Sequence, residues 1–251
     1  MASNTRRPVR GNYIDSISSY CDRWCERCPF TDRCSSYAVH VATAMCDGDL
    51  SAGLELAVGT PPPLTDEDRA RRDDFLEELE NLAPSHEEAT AWEREIEEQE
   101  ERLDELPLTT TAETTWLLAQ GWLADHSETL ERDAPPAVTE ALRIASWDCF
   151  FIPVKLHRAL HGRDSFERGE APDDDDVQND WNGTAKVALI SIVRSIKAWD
   201  ALADATRDPD ARQIADALHR LRREVEQGFP DAWNFVRPGF DAVPPDVNEL
   251  A

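Results

Sequence analysis

Lysine is nearly missing from this 251-residue chain: it stands only at Lys155, Lys186 and Lys197, and arginine fills the other 23 of 26 basic positions. Long apolar runs are missing as well. The strongest, Val187 to Val193, is far shorter than a membrane span and is interrupted by Ser191, so no membrane partner is expected. The N-terminal arginines are followed by no apolar segment of the kind a secretory signal needs, and a cytoplasmic location is expected. Sustained alternation of apolar and polar residues is absent, which argues against β-structure. A Gly-rich phosphate loop, a G-x-S-x-G elbow and paired Glu-x-x-His motifs are all lacking, which removes the commonest signatures of nucleotide-binding, hydrolase and di-iron proteins.

What is present is acid. Fifty-one Asp and Glu against 26 basic residues give a net charge of −25, yet 41% of residues are hydrophobic and eight tryptophans and eight phenylalanines are available for a core. That aromatic content excludes a wholly disordered acidic chain. The acid-rich, lysine-poor composition resembles that of proteins from salt-in halophiles; an ordinary acidic interaction protein is the alternative. Either way the charge bears on solubility and association, not on fold.

Helical periodicity recurs along the whole length. Ile14, Ile17, Cys21, Trp24 and Cys25 fall on one face of a helix expected from Asn12 to Arg27. Pro29 ends it, and a second helix is expected from Thr31 to just before Gly48, followed by a short apolar piece, Leu50 to Val58. Pro61-Pro62-Pro63 marks a module boundary. Two charged helices follow, opened by Thr65 with Asp68 and by the capping box Ser85 with Glu88, and closed by Pro84 and Pro107. Between Asp66 and Glu105 stand eighteen acids and five arginines, a local balance of −13. Phe75, Leu76, Leu79, Leu82, Trp92, Ile96, Leu103 and Leu106 make a narrow stripe there that should pack on one side only. Four further helices are expected at about 111–131, 135–161 (kinked at Pro153), 184–205 and 209–228, with a mobile acidic loop from Asp164 to Asp180 containing the run Asp173 to Asp176. The aromatic tail, Phe229 to Ala251, should strap onto them.

The fold class expected is therefore all-α, in three parts: a four-cysteine helical hairpin over residues 1–60, an acidic helical hairpin over 64–107, and an antiparallel bundle of about four helices with its strap over 108–251.

Four of the six cysteines lie within fourteen residues, spaced C-x3-C-x2-C-x5-C: Cys21, Cys25, Cys28 and Cys34. In a reducing compartment such clustering points to metal ligation before disulfides. On the expected helix, Cys21, Cys25 and Cys28 at i, i+4 and i+7 would present their thiols together, and Cys34 would return from the start of the next helix, where the helix N-terminus favours a thiolate. At about 1.5 Å rise per residue, a helix from Cys21 to Cys28 would hold their backbones about 10 Å apart. That suits a 4Fe-4S cubane better than a single zinc, whose thiolates converge at about 2.3 Å from the metal. A break before Cys28 would lift this objection to zinc, and uncomplexed thiols or redox disulfides remain the other readings.

The Cys28-Pro29 pair resembles the Cys-Pro ending of ferredoxin cluster runs. The first three cysteines also resemble the C-x3-C-x2-C of radical S-adenosylmethionine enzymes. That likeness covers eight residues, has Arg27 where those enzymes carry an aromatic, adds a fourth cysteine and is followed by no strands, so it is set aside. Cys46 and Cys149 read as small core residues, Cys46 being a substitute ligand for Cys34.

A second candidate site comprises Asp148, His157 and His161, the histidines at i, i+4 on the kinked helix. It would make the chain a helical-bundle enzyme if the three converged on an inward face; Arg158 stands where hydrolytic zinc sites place glutamate. From Met1 to Cys46 six arginines face four acids, so the cysteine region carries +2 inside a very acidic protein. These arginines can balance an anionic cluster. With Trp24, Phe30 and Tyr37 they could also meet nucleic acid, but the chain's overall charge would repel phosphates, and a protein partner is expected instead. The sequence thus anticipates a metal-cluster-binding helical protein, 4Fe-4S held by four cysteines, with a structural, redox or sensing role. A structural zinc module in a protein–protein interaction protein is the alternative, and enzyme status is left open.

Overall fold

The computed structural model describes residues 13–60, 63–81, 84–169 and 177–241. The expected Pro61-Pro62-Pro63 boundary in part, the acidic run Asp173 to Asp176, the arginines Arg6, Arg7 and Arg10, and the end of the tail lie outside them. The fold is all-α, with eight helices among the described residues: α1 Ser35–Met45, α2 Leu50–Val58, α3 Asp66–Asn81, α4 His86–Asp104, α5 Pro107–Asp133, α6 Pro136–Glu167, α7 Asp180–Thr206 and α8 Pro209–Gly228. None of them is long and apolar enough to cross a membrane.

Two compact units divide the chain, Met1–Ser18 with Arg23–Glu98, and Ser19–Asp22 with Gln99–Ala251. In the first, α1 and α2 pack on each other. The connection between them turns at Asp47 and Gly48, both at positive φ, and Asp49 caps α2 by accepting the Ala52 N–H at 3.0 Å. Gly53 is what lets the two helices close up: a Cβ there would lie 2.6 Å from the Thr43 Cα. The two acidic helices begin as their caps require. Thr65 Oγ1 accepts from the Asp68 N–H while Asp68 accepts from Thr65, and Ser85 and Glu88 do the same reciprocally. Their apolar stripe is another matter. Phe75, Leu76, Leu79, Trp92 and Ile96 are all exposed, and α3 and α4 do not pack along one another among the described residues. The expected one-sided packing of this stripe is therefore not formed at these five positions among the described residues, and is met only at its end, where Leu103 is buried and Leu106 packs against the core.

In the second unit α5, α6, α7 and α8 enclose one core, each contacting two others in the cycle α5, α6, α7, α8 and back to α5. α7 is its axis: Leu189, Ile192 and Leu202 have no exposure and Trp199 has 1%. Each such side chain contributes roughly 1.5–3 kcal/mol by leaving water. α6 and α7 make the most extensive pairing, and the fully buried Ala145, Ala159, Ala185 and Ala188 keep it close. α8 buries Ala211, Ile214, Ala215, Leu218, Leu221 and Val225, a run at helical spacing that leaves its charged face in solvent. Asp208 caps it, accepting the Asp210 N–H, and also accepts from the Trp122 indole at 2.7 Å. α6 continues through Pro153 and six residues beyond its expected end at His161. After α8 the chain stays on this core: Phe229, Ala232 and Phe235 are buried, and Lys186 Nζ donates to the carbonyls of Trp233 and Phe235. The unit boundary falls inside α4, not at the prolines, because the last turns of that helix belong to this core. Leu103 is buried there and Gln99 donates to Asp164 at 2.8 Å.

Candidate metal centre

The helix expected from Asn12 to Arg27 does not form. Ser16 and Arg23 both adopt left-handed backbone (φ 58° and 55°), which no α-helix accommodates, and residues 15–20 run as turns. The physical reason is tertiary. Ile17 and Trp24 are buried, and Asp22 reaches Arg194, so side-chain destinations override a short helix that would be marginal by itself. In place of a shared helical face, the cysteines sit on separate local structures.

Cys25 opens a single 3-10 turn, Cys25–Arg27, and Cys28 closes it with its N–H donating to the Cys25 carbonyl at 3.2 Å. The Arg27 guanidinium lies 3.7 Å from the centre of the buried Trp24 ring, which pins the turn. A second 3-10 turn, Thr31–Arg33, follows Pro29, and the Arg33 carbonyl accepts the Ile14 N–H. Cys34 is the N-cap of α1, its sulfur accepting the Tyr37 N–H at 3.4 Å, so the expected placement of Cys34 at a helix start holds with the helix beginning at Ser35. Cys25, Cys28 and Cys34 belong to the first unit, whereas Cys21 belongs to the short segment counted with the second. All four are partly exposed.

Among the described residues no group of three or more His, Cys, Asp or Glu side chains is gathered tightly enough to hold a metal ion. The donor chemistry nevertheless fits a thiolate-bound metal: two cysteines on one tight turn and a third whose sulfur already accepts a backbone N–H. Without the helix, the argument from a helical separation of about 10 Å no longer weighs against zinc. Cys46 corrects the core reading, being the partly exposed C-cap of α1, while Cys149 is buried and its thiol is pushed up to about 11 by that burial.

Asp148, His157 and His161 are not brought together. At 100° per residue, positions nine apart lie about 180° apart around a helix, so Asp148 and His157 occupy opposite sides of α6. Asp148 is fully buried and forked by Arg194. His157 is exposed and pairs with Glu100 at 2.7 Å. The cavity beside Asp148, lined also by Trp116, Cys149, Ser195 and Trp199, has room for about one water molecule and not for a substrate. Sequence reading missed the Asp148–Arg194–Asp22 network; a lone arginine inside the most apolar helix was its signal.

No protein-family model, curated protein or solved structure matches this chain.

Proposed function

We propose that this chain is a metal-binding helical protein whose cysteine segment holds a 4Fe-4S cluster in a structural, redox or sensing role. One observation carries the reading: Cys25 and Cys28 share a single tight turn, and Cys34, six residues on, is an N-cap whose sulfur already accepts a backbone N–H. These three supply thiolates, and Cys21 is the fourth ligand by its place in the sequence spacing. The interleaved Arg23, Arg27 and Arg33 and the Cys28-Pro29 pair support an anionic cluster. When bound, the cluster supplies electron transfer or a redox-dependent change in the stability of this segment.

A specific observation also favours zinc: the C-x2-C unit sits on a turn, not a helix, the arrangement from which tetrahedral zinc sites recruit ligands. In that reading the metal is structural and the chain is a protein–protein interaction protein. Replacing Cys25 by serine distinguishes both readings from uncomplexed thiols: metal content of the full chain falls to background if the cluster is the site, and stays at the parental level if it is not.

A further inference from the structure

Along α4, Ala89, Trp92, Ile96, Gln99 and Leu103 recur at alternating spacings of three and four, the a and d positions of a coiled-coil heptad. One stripe is in two states. Gln99 and Leu103 are 4% and 3% exposed, while Trp92 and Ile96, on the same face, are 56% and 57% exposed. A buried seam therefore continues as a bare one over the first turns of the helix.

The residues flanking the bare part decide what can cover it. In this register Glu93 falls at e and Glu88 and Glu95 at g, with Glu100 at the next e, and the first basic flank is Arg102. Glu88 is committed to the Ser85 cap, which leaves Glu93 and Glu95, both exposed, beside Trp92 and Ile96. Charges at e and g select partner and orientation. A second copy of this helix would set g against e in parallel pairing, or like against like in antiparallel pairing, and along the bare stretch every such position is glutamate. Self-association is opposed in both orientations; a helix with apolar a and d residues and Lys or Arg at e and g is complementary.

We infer that the N-terminal half of α4 is the docking surface for a basic amphipathic helix of a partner protein. This rests on the alternative reading of the chain as a protein–protein interaction protein, and its test is separate from that of the metal. The contact spans about two heptads, so it is short and its affinity depends on both the apolar seam and the flanking charges.

The test uses the full chain and labelled three-heptad helical peptides, read by fluorescence anisotropy. A peptide with leucine at a and d and lysine at e and g binds; the same peptide with glutamate at e and g does not, and one with serine at a and d binds at least tenfold more weakly. Ile96→Glu lowers affinity for the lysine peptide at least tenfold with an unchanged helical signal, and Glu93→Lys with Glu95→Lys transfers preference to the glutamate peptide. Equal binding of the serine peptide would reduce the effect to general acidity and overturn the inference, as would an Ile96→Glu variant that binds normally. A chain that self-associates and is dissociated by Ile96→Glu would overturn it in favour of a second copy. Metal content, measured on the same samples, fails or holds separately.

Discussion

Arg194 closes a two-point fork on Asp148, its Nε donating to Oδ2 at 3.1 Å and its Nη2 to Oδ1 at 2.5 Å, on a carboxylate with no exposure at all. A third bond, from Nη1, goes to Asp22 at 2.5 Å. Removing the cation alone leaves Asp148 buried without its partner. Arg194→Leu should therefore destabilise the chain by about 3–5 kcal/mol, measured by urea denaturation. A loss under 1 kcal/mol would show that the pair is not buried as described.

The same pair sets a pH dependence. Burial pushes the Asp148 carboxyl up to about 6 from its ordinary 3.8; Arg194 opposes that rise and Asp22 adds to it. Between those values the native state holds a proton that the unfolded chain has released, so stability from this group falls as pH rises from about 4 to 6 and is level above. The span is about 3 kcal/mol. Asp148→Asn should flatten this slope in denaturant titrations at stepped pH, and an unchanged slope would assign it to other groups.

Gly183, inside α7, faces Tyr20 and Phe235, whose rings lie 4.7 Å apart; a Cβ at Gly183 would come within 2.5 Å of Tyr20 and 2.6 Å of Phe235. Two effects compete in Gly183→Ala. Helix propensity favours alanine by about 1 kcal/mol, and overpacking costs about 1–3 kcal/mol. Backbone on both sides is fixed by α7 and the buried Phe235, so the clash wins and the variant melts lower. A gain in melting temperature would mean the rings move aside freely.

Cysteine alkylation followed by mass spectrometry separates site from bystanders. Cys149, buried and with its thiol pushed up to about 11, should stay unmodified in the native chain under all conditions. In metal-loaded protein Cys21, Cys25, Cys28 and Cys34 should be protected while the partly exposed Cys46 reacts; chelation should expose the four together. Protection of Cys46 with reaction of Cys34 would exchange their roles.

Much of the helical architecture is written in local signals. Ser85 with Glu88, Thr65 with Asp68 and Asp208 with Pro209 each begin a helix where their caps say, and Gly228 ends α8. What local signals could not carry is where side chains are wanted by distant residues. The apolar spacing of Ile14, Ile17 and Trp24 is helical in register, but Ser16 and Arg23 turn left-handed so that Ile17 and Trp24 are buried and Asp22 meets Arg194, 172 residues away. The spacing of the candidate cysteines shows only that they are neighbours in sequence; their distribution over a turn, a cap and a second segment was not legible in it. For Asp148 and His157 the reverse holds, since their opposite placement on α6 follows from counting nine residues along a helix.

The most direct test of the thiolate metal centre is metal and acid-labile sulfide analysis of the full chain purified without oxygen, together with its visible spectrum. The account predicts a coloured protein with iron and sulfide in cluster stoichiometry, both lost in Cys25→Ser; colourless protein with stoichiometric zinc, lost in the same variant, selects the structural zinc reading. Metal-free protein in which all four cysteines alkylate freely would contradict the metal centre altogether.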